Sequence, residues 1–274
     1  MAYSIKQLEQ IAKKVRFNIV RMIGPEKAGH LGGSCSMADI AAVLYFHKMR
    51  HDPANPKMPD RDRFLLSKGH SALVQYSVLA EAGYFPKEEL LKLKKLGSIL
   101  QGHPDMNKVP GVEANTGSLG QGLSIAAGMA AAGKIDKLEY KVYCVVGDGE
   151  LAEGQIWETA LAASVYKLDN LVAILDRNQL QATGTVVDRF NTNPLKEKWE
   201  AFGWEVIECD GHNIEDVISA LDKADTVKGK PVLLLANTIK GKGISFAENV
   251  VGFHNGAMTE EQFLQALKEL GEER

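Results

Sequence analysis

Along the chain, short apolar runs rich in β-branched residues alternate with longer segments whose apolar positions recur every three or four residues. Two runs stand out in the middle. Tyr143-Cys144-Val145-Val146 and Asn170-Leu171-Val172-Ala173-Ile174-Leu175 are short, almost wholly apolar and followed by small or polar residues, which reads as a pair of buried strands. Between them, Glu153 to Tyr166 has helical spacing. Upstream, helices are predicted over Ser4 to Met22, Met37 to Lys48, Ala72 to Ala82 and Lys87 to Leu96, with the short run Phe64-Leu65-Leu66-Ser67 between the second and third. A Pro-rich connection (His51 to Pro59) and a long loop (Gly97 to Ser118) separate them. Downstream, Leu195 to Phe202, Glu205 to Cys209, Ile214 to Ala224 and Val232 to Ala236 continue the alternation of helix and strand. Thr259 to Leu270 closes it as an amphipathic helix with a threonine cap and an acidic first turn. This order predicts an α/β fold, a parallel sheet with helices on both faces, in one domain over residues 1–274 with an extended N-terminal region.

Composition narrows the class. The 274 residues, 45% of them hydrophobic, suffice for a sizeable core, and the net charge of −3 offers no electrostatic basis for nucleic-acid binding. Cys35, Cys144 and Cys209 lack metal-binding spacing and read as reduced thiols of a cytoplasmic protein. No signal segment opens the chain and no apolar run is long enough for a bilayer, so no membrane partner is expected.

Candidate chemistry gathers after the two central strands. Gly147 and Gly149 let the chain turn sharply and bring Asp148, with neighbouring N–H groups, to the carboxyl end of its strand, where open α/β sheets bind ligands. Asn178 follows the next strand, so two oxygen-bearing side chains can meet at adjacent strand ends. A carboxylate, an amide oxygen and a backbone carbonyl are hard donors suited to Mg²⁺, which completes its shell with water and phosphate. Gly-Asp-Gly alone is usually a turn; the pairing of strand ends makes it a candidate metal and diphosphate clamp.

Four histidines sit beside glycine or proline in loop contexts: His30 in Ala28-Gly29-His30-Leu31-Gly32-Gly33-Ser34, His70 in Ser67-Lys68-Gly69-His70, His103 in Gly102-His103-Pro104, and His254 in Phe253-His254-Asn255-Gly256. Any one could be a surface or capping residue; four of seven in such contexts suggest imidazoles held near a ligand for proton donation and acceptance. Asn115 to Gly122 is a glycine-rich loop feeding an Ala- and Met-rich helix, whose start favours phosphate or serves close packing. Thr238-Ile239-Lys240-Gly241-Lys242-Gly243 follows another strand, without the full P-loop pattern.

These segments together resemble the thiamine-diphosphate enzymes, and Gly147 to Glu158 (GDGELAEGQIWE) resembles their transketolase branch. AGHLGG, SKGH, QGHPD and His254 also follow in that family's order. The chain departs from it in reading Arg177-Asn178 where many members have Asn-Asn, and His254-Asn255-Gly256 where many have His-Gly and a basic residue. By position, the resemblance implies Asp148, Asn178 and the Leu180 carbonyl as ligands of Mg²⁺, or of Ca²⁺ or Mn²⁺ in its place. It implies His70, Gly117, Ser118, Leu119, Gly147, Asp148, Gly149, Glu153, Asn178, Lys240 and His254 around thiamine diphosphate, with Glu153 near an interface between paired sites. His30, His70, His103 and His254 would be the catalytic imidazoles. It covers only the amino-terminal half or less of a full-length member, without the pyrimidine-binding and C-terminal domains. The implied protein is therefore the first subunit of a split transketolase of the pentose phosphate type, acting on sugar phosphates. A separately encoded C-terminal subunit would supply the pyrimidine site and its glutamate, in a heterotetramer with paired sites. The alternatives are a subunit of a 2-oxoacid dehydrogenase, a noncatalytic cofactor-binding relative and, more remotely, a nicotinamide-dependent oxidoreductase.

Overall fold

The computed structural model describes residues 3–271; the outermost residues of the expected 1–274 domain lie outside the described residues. Its strands are β1 (Arg63–Leu66), β2 (Val142–Gly147), β3 (Leu171–Arg177), β4 (Leu180–Gln181), β5 (Gly184–Thr185), β6 (Glu205–Asp210) and β7 (Val232–Asn237). Five of them form a wholly parallel sheet in the order β1-β2-β3-β7-β6, and β4 and β5 pair as a small antiparallel hairpin. The helices are α1 (Ile5–Ile23), α2 (Leu31–Cys35), α3 (Ala38–Val43), α4 (Ala72–Ala82), α5 (Gln121–Ile135), α6 (Gly154–Val165), α7 (Val186–Phe190), α8 (Leu195–Ala201), α9 (Ile214–Thr226) and α10 (Glu260–Glu269).

Both faces of the sheet are covered, as the near-continuous apolar strands require. Successive β2 side chains alternate between two cores: Tyr143 and Val145 pack with α1, α3, α4 and α9, whereas Val142, Cys144 and Val146 pack with α5, α6 and α8. The expected layered parallel architecture is therefore present. Capping follows the local sequence: the Ser4 and Thr259 side chains accept from the N–H groups of Gln7 and Gln262, in complete capping boxes that open α1 and α10.

Some segments differ from expectation. Glycine-rich Leu31–Cys35, read as loop, is a buried helical turn, which satisfies backbone groups that a buried loop would leave unpaired. The helix expected over Lys87 to Leu96 shrinks to a 3₁₀ segment, Lys87–Lys92, in which only Leu90 is buried; with so little apolar face it gains no tertiary support for further turns. Met37 to Lys48 starts as α3 and finishes as a π-helical turn, Leu44–Lys48. Hairpin β4–β5 and α7 have no counterpart among the predicted elements.

One contact brings α5 onto the end of β1. A Cβ on Gly122 would lie 2.6 Å from the Ser67 Cα, so only glycine allows this approach. Gly122→Ala should destabilise the fold by about 1–3 kcal/mol through overpacking, lowering the midpoint of denaturant unfolding; an unchanged midpoint would contradict the contact.

Candidate active site

All five parallel strands end on the same edge, and each carboxyl end continues into a polar residue of the site or its support. Lys68 and His70 follow β1, Asp148 follows β2, Asn178 follows β3, His212 follows β6 and Lys240 follows β7. A cavity of about 150 Å³ opens there, with Lys68, His70, Asp148, Asn178, Lys240 and His254 in its wall. The backbone of Gly147 and Gly149 and residues Leu119 and Leu180 complete the part of the lining anticipated from the sequence.

Local backbone geometry builds the clamp. Asp148 accepts hydrogen bonds from its neighbour Gly149 N–H at 2.8 Å and from the Gln179 N–H across the strand ends. Gln179 itself adopts a left-handed conformation, φ 64°, uncommon for a residue other than glycine, at the turn into β4. The Asn178 amide is oriented from both ends, its Nδ2 donating to Asp176 at 2.9 Å and its Oδ1 accepting from the Leu180 N–H at 3.1 Å. Leu180 turns its carbonyl towards Lys240, whose Nζ donates to it at 3.0 Å.

The charges are unevenly balanced. Buried Lys68 is neutralised by fully buried Asp176 at 2.6 Å, and it also donates to the Gly33 carbonyl. Burial alone would raise the Asp176 carboxyl, but Lys68 and hydrogen bonds from Thr238 and Ser36 hold it below the usual range. Asp148 has no ion-pair partner among the described residues; burial, then the nearby Asp176, raises it to about 6. Lys240 is lowered to about 8 by burial and by Lys68. A carboxylate, an amide and a carbonyl beside an unpaired lysine suit a divalent ion bridging to an anion. The buried His254 Nδ1, which has no hydrogen-bond partner, is a further polar group available to a ligand.

The four histidines do converge. The His30 ring centroid lies 5.1 Å from His70, 5.6 Å from His254 and 6.4 Å from His103, and His70 stacks on His254 at 5.1 Å. Burial, followed by charges including Lys94 for His30, Lys68 for His70 and Lys240 for His254, lowers these rings to about 4, 2 and 4. They are neutral imidazoles near pH 7, each able to donate and to accept.

Other expected positions lie around the rim. Gly117 packs against His103, where an added Cβ would meet the ring at 2.6 Å. His103, Ser118 and Glu153 are exposed, and Glu153 is the N-cap residue of α6. The helix start read as a phosphate site is partly taken by protein: Glu150 accepts from the Gly120 N–H at 2.8 Å, from Ser67 Oγ at 2.6 Å and from the Gly147 N–H at 3.1 Å. Sequence reasoning passed over Glu150, Asp176 and His212. The available signals were a charge ending the β3 apolar run and an Asp-Gly-His turn following β6 as Gly-Asp-Gly follows β2.

Among the described residues no group of three or more His, Cys, Asp and Glu side chains has the form of a metal centre, and no helix is long and apolar enough to cross a membrane. Residues 7–274 match the family described as "Transketolase, thiamine diphosphate binding domain". The chain is 44% identical to a protein of Phocaeicola vulgatus named as a subunit of apulose-4-phosphate transketolase, covering 98% of this chain and 95% of that protein. It is 45% identical to the "6-deoxy-6-sulfo-D-fructose transketolase subunit SqwG" of a Clostridium species, covering 97% of each. Against human transketolase the identity is 42%, over 97% of this chain but 42% of the human one. The crystal structure of transketolase from Campylobacter jejuni superposes with a TM-score of 0.92 at 35% identity, over 98% of this chain and 43% of that one.

The depressed histidines set a pH dependence of stability. Between the ordinary histidine value of 6.5 and about 4, the unfolded chain binds protons that folded His30 and His254 refuse, so their contribution to stability is lost as pH falls. Asp148, raised to about 6, opposes this with one proton. Replacing His30 and His254 with Gln should flatten the fall of the thermal midpoint across this window, and an identical slope would refute the assignment.

Proposed function

The chain belongs to the family of transketolase thiamine-diphosphate-binding domains, and we propose that it is the diphosphate-binding subunit of a two-chain transketolase. One contrast carries this reading. The chain aligns almost end to end with proteins named as transketolase subunits, yet with only 42–43% of the human and C. jejuni transketolases. A separate chain then brings the pyrimidine-binding and C-terminal domains, with the glutamate that activates the aminopyrimidine, in a heterotetramer with paired sites.

The residues divide the work. Asp148, Asn178 and the Leu180 carbonyl hold Mg²⁺, and Lys240 complements the diphosphate. Gly147, Gly149, Gly117, Ser118 and Leu119 approach the cofactor with backbone and small groups. Thiamine diphosphate supplies the nucleophilic carbon and electron sink for breaking the bond beside a ketose carbonyl. His30, His70, His103 and His254 orient the sugar hydroxyls and carbonyl and pass protons as a two-carbon unit moves from a ketose to an aldose phosphate. Relatives are named for apulose 4-phosphate and 6-deoxy-6-sulfo-D-fructose. A ketose bearing a terminal anion is the proposed donor class.

The outer faces of α5 and α6 support a subunit reading. Ile135, Leu161, Val165 and Tyr166, on or next to these helices, are 79%, 54%, 74% and 68% exposed, an apolar face suited to the partner chain.

Ketol transfer should be absent from the isolated chain and appear when the partner is added with saturating cofactor and Mg²⁺; full activity of the chain alone would refute the split arrangement. Asp148→Ala in the assembled enzyme should abolish Mg²⁺-dependent binding of thiamine diphosphate, read by calorimetry. Undiminished affinity would remove Asp148 from the metal site.

A further inference from the structure

Outside the cavity wall lies a second polar constellation, built from elements far apart in sequence. Arg16 on α1 and Asp39 on α3 are each 7% exposed. The guanidinium donates to both carboxylate oxygens of Asp39, with Nη1 at 3.0 Å from Oδ1, and its Nε donates to the Cys35 carbonyl at 3.3 Å. His212, in the turn between β6 and α9, places Nδ1 2.7 Å from Asp39 Oδ2. Its other nitrogen, Nε2, is 2.8 Å from the backbone N–H of Ile239. A backbone N–H can only donate, so Nε2 is the bare acceptor and Nδ1 carries the hydrogen towards Asp39. Both ring nitrogens, and the tautomer, are thereby assigned by their partners.

We infer that His212 is a positioning residue for Lys240, acting through the Ile239 N–H to hold the backbone that places the lysine ammonium in the cavity. The segment after β7 is pinned almost residue by residue. The Thr238 hydroxyl donates to Asp176, the Ile239 N–H to His212, and the Gly241 N–H to the Gly32 carbonyl at 3.0 Å. Lys240 cannot be held by its own ammonium alone, which has the single acceptor Leu180 O and no carboxylate in ion-pair range among the described residues. Its placement therefore depends on the backbone beneath it. Of these three anchors, the Ile239 one is where a side chain accepts directly from the backbone. That side chain is stiffened in turn by the Asp39 carboxylate, itself fixed by Arg16. Removing the acceptor would leave the Ile239 N–H unpaired and free the peptide to rotate, loosening the lysine without touching it.

This inference rests on the reading of the cavity as the cofactor's diphosphate site. Its test compares His212→Gln with His212→Asn in the assembled two-chain enzyme. Glutamine can place an amide oxygen near the position of Nε2 and keep an acceptor for Ile239, whereas the shorter asparagine can satisfy only Asp39. Calorimetric titration with thiamine diphosphate and Mg²⁺ should show about tenfold weaker binding for His212→Asn, the loss of one hydrogen bond, and near-parental binding for His212→Gln. In a Lys240→Ala background the difference between the two should vanish, since the effect is transmitted through the lysine. Equal affinities of the two variants, or a difference that persists without Lys240, would overturn the assignment. Asp148→Ala serves as the separate control: if it too leaves affinity intact, the diphosphate reading of the cavity fails, whereas its loss alongside equal His212 variants sinks only the positioning role.

Discussion

The arrangement depends most on the carboxylate of Asp176. It is fully buried at the end of β3 and receives four donors: Lys68 from the end of β1, Ser36 from the α2–α3 junction, Asn178 from its own strand end, and Thr238 from the end of β7. A buried ion pair of this kind adds little net stability, because desolvation offsets much of the Coulombic gain. Its consequence is specificity of arrangement. Each donor has a fixed direction towards one small anion, so three strand ends and a helix junction must meet in one register. Apolar substitutes could fill the volume but could not orient the Asn178 amide.

That internal neutralisation shapes the electrostatics of the cavity. Lys68 is balanced by Asp176, whereas neither Lys240 nor Asp148 has an opposite charge in ion-pair range among the described residues, although each acts on the other across the adjacent strand ends. A divalent ion between Asp148 and an anion near Lys240 would satisfy both imbalances at once. Burial, and after it the nearby lysines, keeps His30, His70 and His254 uncharged near pH 7. A neutral ring presents one donating and one accepting nitrogen, so it can hydrogen-bond to a hydroxyl and to a carbonyl alike.

Much of the fold was legible because its signals are local and periodic. The apolar runs Tyr143 to Val146 and Asn170 to Leu175 read as strands buried on both faces, as Val142–Gly147 and Leu171–Arg177 are, and the polar residues after them fall on one edge of a parallel sheet. The convergence of four histidines was readable only through the order of their motifs, since nothing local requires His30 and His254 to meet. What escaped was tertiary in origin. Leu31–Cys35 is helical because burial demands paired backbone groups, and hairpin β4–β5 is entered through a left-handed Gln179 where no glycine stands. Glu150 and Asp176 look like ordinary charges beside a turn and a strand. Their importance comes from donors more than 25 residues away, Gly120 and Ser67 for one, Ser36, Lys68 and Thr238 for the other.

The residues left open in the isolated chain follow a pattern of their own. His103, Ser118 and Glu153 lie on a continuous rim, joined by the packing of His103 on Gly117 and of Glu153 on Gly120. From that rim α5 and α6 run side by side, their first turns tied by hydrogen bonds between Gln121 and Gln155. A soluble helix normally separates an apolar stripe from a polar face. These two carry apolar residues around most of their circumference, and the sheet covers only one side of each. A helix of that composition is ordinarily covered on more than one side, and the proposed second chain covers it where the rim residues need a ligand. On that reading the same contact that buries the helices closes the site, so assembly and completion of the active centre are one event rather than two.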